Sequence, residues 1–486
     1  MDPIDLTVVV LVMVGVTWMG HRLSGSINSR SGFFQGDGSL PWWAVAGSIV
    51  ATLVSAVTFV SVPAAVFAPG GDLTYFQVIL GLALGKVAVA LVLVRAFYED
   101  RQSNTSYEYI ARRIDKPTGE LSMCLGLVLN VINSGVKVLA ASLVLEAITG
   151  WGLVASTGFV VAISILWSSL AGIKTVIWTD FLLFVLFCGG ALFVLVFIVV
   201  SVDLTLPQML KELDDQAKLT LFDFSTDPST RYSIWAAIIG AVALNIAQGG
   251  AQGTWQRVKS CRSVADAHKA YVAAASFYVV HLVILAVGLG LVIFYSQHSL
   301  ADEVSARLQL QPDYIFPHFI LSEIPTGLSG LFIAAIFAAA ISTLDSALTE
   351  SADMTMNHIY VPFVAPSASE AHYLLASRGL MVFWGVVFFF VTLFFAQYSA
   401  EGLLDLTFKL PNYVLGALFG TIVLARIGIG RLSTILSGAA LALIVTYLLS
   451  QAEVAFFFWC PLSGTLMVGF VYCTERFVLK NQTVAG

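Results

Sequence analysis

The chain has 486 residues, of which 58% are hydrophobic and only 11% charged, with a mean hydropathy of +0.88, whereas a soluble domain carries about 25% charged residues. That balance argues against a water-soluble globular domain and leaves room for about a dozen bilayer crossings of roughly 20 residues each. The net charge of −6 carries little information, because where charges lie matters more than their sum; the five scattered cysteines and seven dispersed histidines argue against a disulfide framework and a Cys–His metal centre, and nothing along the chain resembles a nucleic-acid patch.

Apolar runs predict an all-α membrane protein with thirteen transmembrane helices, near 4–20, 41–68, 73–97, 118–148, 152–172, 174–201, 231–252, 270–296, 326–357, 376–398, 402–426, 433–450 and 454–477. The first run follows Asp2 and Asp5 with no basic segment ahead of it, so it reads as a retained span and not as a cleaved signal. One alternating set of loops holds Arg22, Arg30, Arg101, Arg112, Arg113, Lys116, Lys174, Arg257, Lys259, Arg262, Lys269, Arg378, Arg426, Arg431, Arg476 and Lys480. The other set has only Lys211, Lys218, Arg231 and Arg307, beside acids such as Asp72, Asp214, Asp215 and Glu401. The positive-inside rule then places the N-terminus outside and the C-terminus inside a cell membrane, expected to be of the bacterial inner-membrane kind. Residues 202–230 and 297–325 become outer segments. Residues 98–117 and 253–269 become basic inner loops, read as topology determinants beside anionic lipid, and 351–375 becomes an inner loop with few charges.

Two spans look unfit for a straight helix. Ala51-Thr-Leu-Val-Ser55-Ala-Val-Thr58 mixes hydroxyls with β-branched residues ahead of Pro63 and Pro69, and Asn245-Ile-Ala-Gln248-Gly249-Gly250-Ala-Gln252-Gly253 is rich in glycine and amides. Glycine loosens a helix, and amides can satisfy the backbone groups that a break exposes. Counted from 41, these spans are first and sixth, and interrupted helices at matching places in two halves point to a binding site between inverted repeats.

Charge inside the apolar spans is the next signal. Asp180 lies six residues past Lys174, roughly 9 Å along a helix, and Asp345 lies at a similar depth counted from Glu350. On the same helix Ser342, Asp345, Ser346 and Thr349 share a face. A serine–threonine stripe alone is ordinary helix packing, but two buried carboxylates call for a cation or a proton between them. Hydroxyls, carbonyls and carboxylates suit a hard ion such as sodium.

These segments resemble the sodium/solute symporters, the family of sodium-coupled sugar, proline, sialic acid, pantothenate and iodide carriers. The resemblance runs through Ala51–Pro63, Thr105-Ser-Tyr-Glu-Tyr109, Trp178-Thr179-Asp180, Gln256-Arg257 and Ala338–Ala347. It implies a leucine-transporter-type fold with two inverted five-helix repeats, 41–201 and 231–426, preceded by one helix (4–20) and followed by two (433–477). It implies a main sodium site from the carbonyls of Ala51, Val54 and Ala339 and the hydroxyls of Ser342 and Thr343. A second sodium site, present in some members, falls on Asp180, Ser342, Asp345 and Ser346, where Asp345 replaces a serine and could hold sodium or a proton. One sodium ion, or two, is the expected co-substrate.

The resemblance and the broken helices place a small hydrophilic organic solute or small anion near Ser55, Thr58, Phe76, Gln77, Asn245 and Gln248, with Asn412 and Tyr413 as wall residues. Lys137 could meet an anionic substrate, pair with Glu146 or line an aqueous path. Lys86 and the i,i+4 pair Asp405/Lys409 read as packing and snorkelling residues. The expected function is sodium-coupled symport by alternating access, with no enzymatic role and no nucleic-acid partner. Four alternatives remain: a proton-coupled carrier, a transporter-like sensor (for which the sequence up to Gly486 offers no signalling domain), an ion channel, and a membrane enzyme.

Overall fold

The computed structural model describes residues 2–24, 30–53, 56–397 and 402–484. Apart from one bridge between Leu40 and Cys261, regular structure among these residues is helical. That follows from solvent: in hydrocarbon, each backbone N–H and C=O needs a partner within the protein.

In chain order the helices are α1 (Pro3–Ser24), α2 (Arg30–Gln35), α3 (Trp42–Leu53), α4 (Ala56–Phe67), α5 (Tyr75–Val89), α6 (Arg95–Glu99) and α7 (Ser106–Arg113). The long helices α8 (Lys116–Thr149) and α9 (Leu153–Ser201) follow, then α10 (Leu206–Asp215), α11 (Ile234–Gly249), α12 (Gln252–Ser260), α13 (Val264–Phe277) and α14 (Val279–Gln297). The remainder are α15 (Asp302–Leu310), α16 (Ile315–Ser322), α17 (Leu328–Thr355), α18 (Glu370–Phe395), α19 (Leu403–Ile427), α20 (Leu432–Gln451) and α21 (Trp459–Val484).

Among the described residues ten helices are long and apolar enough to cross a membrane, and two bent pairs bring the number to twelve. The shorter apolar helix Leu153–Ser169 accounts for the thirteenth predicted span. It is set off within α9 by Gly172, whose φ of 54° and ψ of 178° suit only a residue without a Cβ. The two bent pairs are the two spans expected to break. Trp42–Thr52 and Val57–Phe67 meet at 54°, and Ile234–Gly249 and Gln252–Ser260 at 71°.

One inner loop needs correction. Residues 252–260 are not a solvated basic loop but the helix α12, with Gln252, Trp255, Gln256, Arg257 and Ser260 all buried. Sequence charge marked it as a loop because two cations lie in three residues. Arg257 is instead paired with acids inside the protein, and Lys259 donates to the Tyr98 and Asp100 carbonyls. The outer segments are also structured: α10 lies in 202–230, and α15 and α16 in 297–325.

Burial separates centre from rim. The apolar window of the span that contains α17 is 94% buried within the molecule, against 17% for α1 and 22% for α18, so α17 forms the core and the others face lipid. α1 is nevertheless anchored. Asp5 accepts hydrogen bonds from Gly327 N (2.6 Å), Gly330 N (2.9 Å) and Ser329 Oγ (2.8 Å), a carboxylate satisfying the free N–H groups that open α17. At the opposite end Arg113 donates to the carbonyls of Ala425 and Arg426, Arg426 to that of Val92, and Lys259 to that of Asp100. Of these cations assigned to inner loops, Arg113 caps the C-terminus of α19 and Lys259 that of α6.

Candidate functional site

Three helices converge at the centre. α9 carries Asp180, α17 carries Ser342, Asp345 and Ser346, and the last two turns of α3 carry Ser48, Ala51 and Thr52. Asp180 is fully buried. It accepts a hydrogen bond from Ser48 Oγ at 2.6 Å and another from Ser342 Oγ, so one carboxylate clasps α3 to α17.

The cation beside it is Arg257 from α12. Its Nη2 lies 3.5 Å from Asp180 and donates to Thr52 Oγ1 (2.5 Å) and Ser346 Oγ (3.0 Å). Its Nε donates to Ser48 Oγ (3.2 Å), and Nη1 lies 3.7 Å from Glu350. With a side chain only 5% exposed, this guanidinium is the buried counter-charge of both acids. Sequence reasoning passed over it, because a cation next to Lys259 and Arg262 looks like a topology signal. The hint available was Gln256-Arg257, which carried part of the resemblance.

Of the residues assigned to the main sodium site, Ala51, Ala339, Ser342 and Thr343 are all buried around this junction. Val54 lies outside the described residues. Thr343 Oγ1 donates to the Ala339 carbonyl at 3.0 Å, which spends the hydroxyl proton and leaves the oxygen lone pairs free. In the last described turn of α3 the Thr52 carbonyl takes the Lys137 ammonium at 3.1 Å.

The four residues of the second assigned site fall into three separate sets of contacts. Asp180 and Ser342 are bonded to one another, and Ser346 is held by Arg257. Asp345 accepts from Ser168 Oγ at 2.9 Å and lines a distinct apolar cleft walled by α1 and α9.

A central cavity of about 180 Å³ opens beside the junction. Among the assigned substrate residues, Thr58, Lys137 and Gln248 line it; Ser55 lies outside the described residues. Gln77 instead donates to the Tyr232 carbonyl (2.6 Å), Asn245 to the Ala241 carbonyl (2.9 Å) and Asn412 to the Phe408 carbonyl (2.7 Å). Phe76 packs on Phe222 and Tyr413 on Trp459. The carbonyl oxygens of the three amides, Gln77 Oε1, Asn245 Oδ1 and Asn412 Oδ1, are buried without a hydrogen-bond partner among the described residues.

Lys137 faces this cavity, whereas Glu146 lines a separate cleft with Arg307. Lys86, read as a snorkelling residue, lines the cavity too, and Asp405 pairs with Arg231 and the Tyr232 hydroxyl. At the second break the amides do not satisfy the exposed backbone as expected. The Gln248 carbonyl accepts from Ala251 N (3.0 Å) and Thr254 Oγ1 (3.4 Å), while Gln252 ties Ser106 N to Asp353.

A family model described as "Sodium:solute symporter family" matches residues 33–446. A sodium-coupled monocarboxylate transporter 2 of Bos taurus is 28% identical over 362 residues, 73% of this chain and 57% of that protein. A human sodium/iodide cotransporter is 26% identical over 422 residues, 85% of this chain and 64% of its own length. The chain thus spans about three-fifths of the curated relatives it matches. Among solved structures, a substrate-bound, outward-open Na+-coupled sialic acid symporter aligns over 98% of both chains with a TM-score of 0.84 at 22% identity. That likeness shows the fold, which is of the leucine-transporter type.

Proposed function

The chain belongs to the sodium:solute symporter family and is a multi-pass membrane protein; from that premise we propose that it carries a small anion together with sodium by alternating access. The reading rests above all on the junction of α3 with α17, where Ser48 Oγ and Ser342 Oγ bond the one Asp180 carboxylate and Thr343 Oγ1 donates to the Ala339 carbonyl, gathering oxygens from both helices. Sodium binds there to the carbonyls of Ala51, Val54 and Ala339 and the hydroxyls of Ser342 and Thr343. Its ligands come from both helices, so occupancy favours the arrangement that holds them together, and its loss releases them. The bundles that rock against each other derive from the repeats 41–201 and 231–426, and the basic end of the molecule faces the cytoplasm of a cell membrane.

The anion is supported by the cavity lining, which carries Lys86, Lys137 and Arg257 against Glu350 alone. The relatives' printed substrates, monocarboxylates and iodide, are small anions as well. We propose one sodium per anion, because the Arg257 guanidinium already bonds Ser346 and neighbours Asp180, where a second sodium ion needs ligands. One sodium and one monoanion move no net charge. The membrane potential then drops out, and each tenfold sodium gradient, about 1.4 kcal/mol, supports tenfold accumulation. A second sodium adds about 2.3 kcal/mol per 100 mV and produces a current.

Uptake of short monocarboxylates and iodide into proteoliposomes, with sodium replaced by choline, tests this reading. Concentrative uptake is expected in sodium only. Equal uptake in choline overturns sodium coupling, and accumulation driven by a pH gradient alone establishes the proton-coupled alternative.

A further inference from the structure

The three cations lining the central cavity are not equivalent. Arg257 has Asp180 and Glu350, and Lys137 has the Thr52 carbonyl. Lys86 on α5 is 7% exposed and makes no hydrogen bond or ion pair among the described residues. Lys137 and Arg257 lie near enough to repel it. A buried ammonium in that position is costly unless an anion meets it.

We propose that Lys86 is the carboxylate-binding residue of the transport cavity and that its ligand is a small monocarboxylate. The lining carries Lys86, Lys137 and Arg257 against Glu350, and Arg257 also neighbours Asp180, so the cavity stays positive until an anion enters. The cavity is small, and it pairs amides such as Gln248 and Asn133 with apolar walls from Leu82, Leu244 and Phe408. That mixture fits a short carboxylate whose tail is apolar better than it fits a polyhydroxyl sugar.

The position of Lys86 is fixed by its neighbour. A Cβ at Gly85 would come within 2.6 Å of Asn245 on the broken helix α11, so α5 and α11 can approach this closely only with glycine there. The turn carrying Lys86 is therefore held against the helix whose break brings Gln248 to the same cavity.

This inference rests on the proposed anion symport, and the test separates the two. Purified parent, Lys86→Gln and Lys86→Arg proteins are melted at constant sodium across a propionate series, with the neutral propionamide as control. Sodium is also titrated without propionate. Propionate, but not propionamide, is expected to stabilise the parent. Lys86→Gln should need at least tenfold more propionate while keeping the parent's response to sodium, and Lys86→Arg should restore most of the propionate response. An unchanged propionate midpoint in Lys86→Gln overturns the role of Lys86 but leaves anion symport standing. A parent that responds to sodium but to propionate no more than to propionamide overturns the carboxylate site and the anion reading together. If Lys86→Gln loses the sodium response as well, Lys86 is a structural residue and the proposal fails.

Discussion

Asp180 and Asp345 look alike in sequence, two carboxylates at similar depth in apolar spans, yet their surroundings differ in kind. Asp180 is clasped by Ser48 and Ser342 and faces Arg257, at the point where α3, α9 and α17 meet. Asp345 has the hydroxyl of Ser168 and looks into an apolar cleft beside α1. Asp180 ties three helices to a guanidinium, whereas the Asp345 carboxylate is tied to a single serine on a neighbouring helix. Partners, not depth, separate the roles.

That contrast can be broken at four points. Arg257→Met strips the counter-charge from two buried acids and should have the largest effect, a loss of about 3–5 kcal/mol in unfolding free energy read by denaturation of the purified protein, with uptake abolished. Asp180→Asn should cost less, about 1.5–3 kcal/mol, because Arg257 keeps Glu350. The double variant should cost clearly less than the sum, since the two groups share one network; simple additivity would show that they are not coupled.

Ser342→Ala combined with Thr343→Ala should raise the sodium concentration for half-maximal uptake about tenfold, some 1.4 kcal/mol, and an unmoved sodium curve removes the proposed ion site. Asp345→Asn, which preserves the contact to Ser168, should shift that curve by less than about threefold, or about 0.7 kcal/mol. A shift as large as that of the hydroxyl pair would place Asp345 on the ion path and erase the contrast.

The fold was largely legible. Apolar runs placed the spans, and β-branched hydroxyl residues before Pro63 and the glycine–amide run at 245–253 marked the two breaks that the structure bends by 54° and 71°. Ser342, Thr343 and Asp180 stood out in sequence because oxygens in an apolar helix need a reason to be there, and the structure bonds Ser342 to Asp180 and buries Thr343 beside them. Arg257 was hidden because its solvent-like neighbours, Lys259 and Arg262, gave it the signature of a loop, although it folds inward on the bent helix α12. Asn245 and Gln77, assigned to the substrate because they lie near the breaks, do not line the central cavity, and each donates its amide N–H to a backbone carbonyl. Which way a side chain turns on a helix of uncertain phase is a tertiary fact.

The most direct test is to follow labelled sodium and labelled propionate into the same proteoliposomes under an inward sodium gradient. The account predicts one sodium for each anion, no accompanying current, and loss of both fluxes in the Ser342→Ala, Thr343→Ala protein at sodium levels that saturate the parent. Propionate entering without sodium, or sodium entering in excess and carrying current, would contradict it.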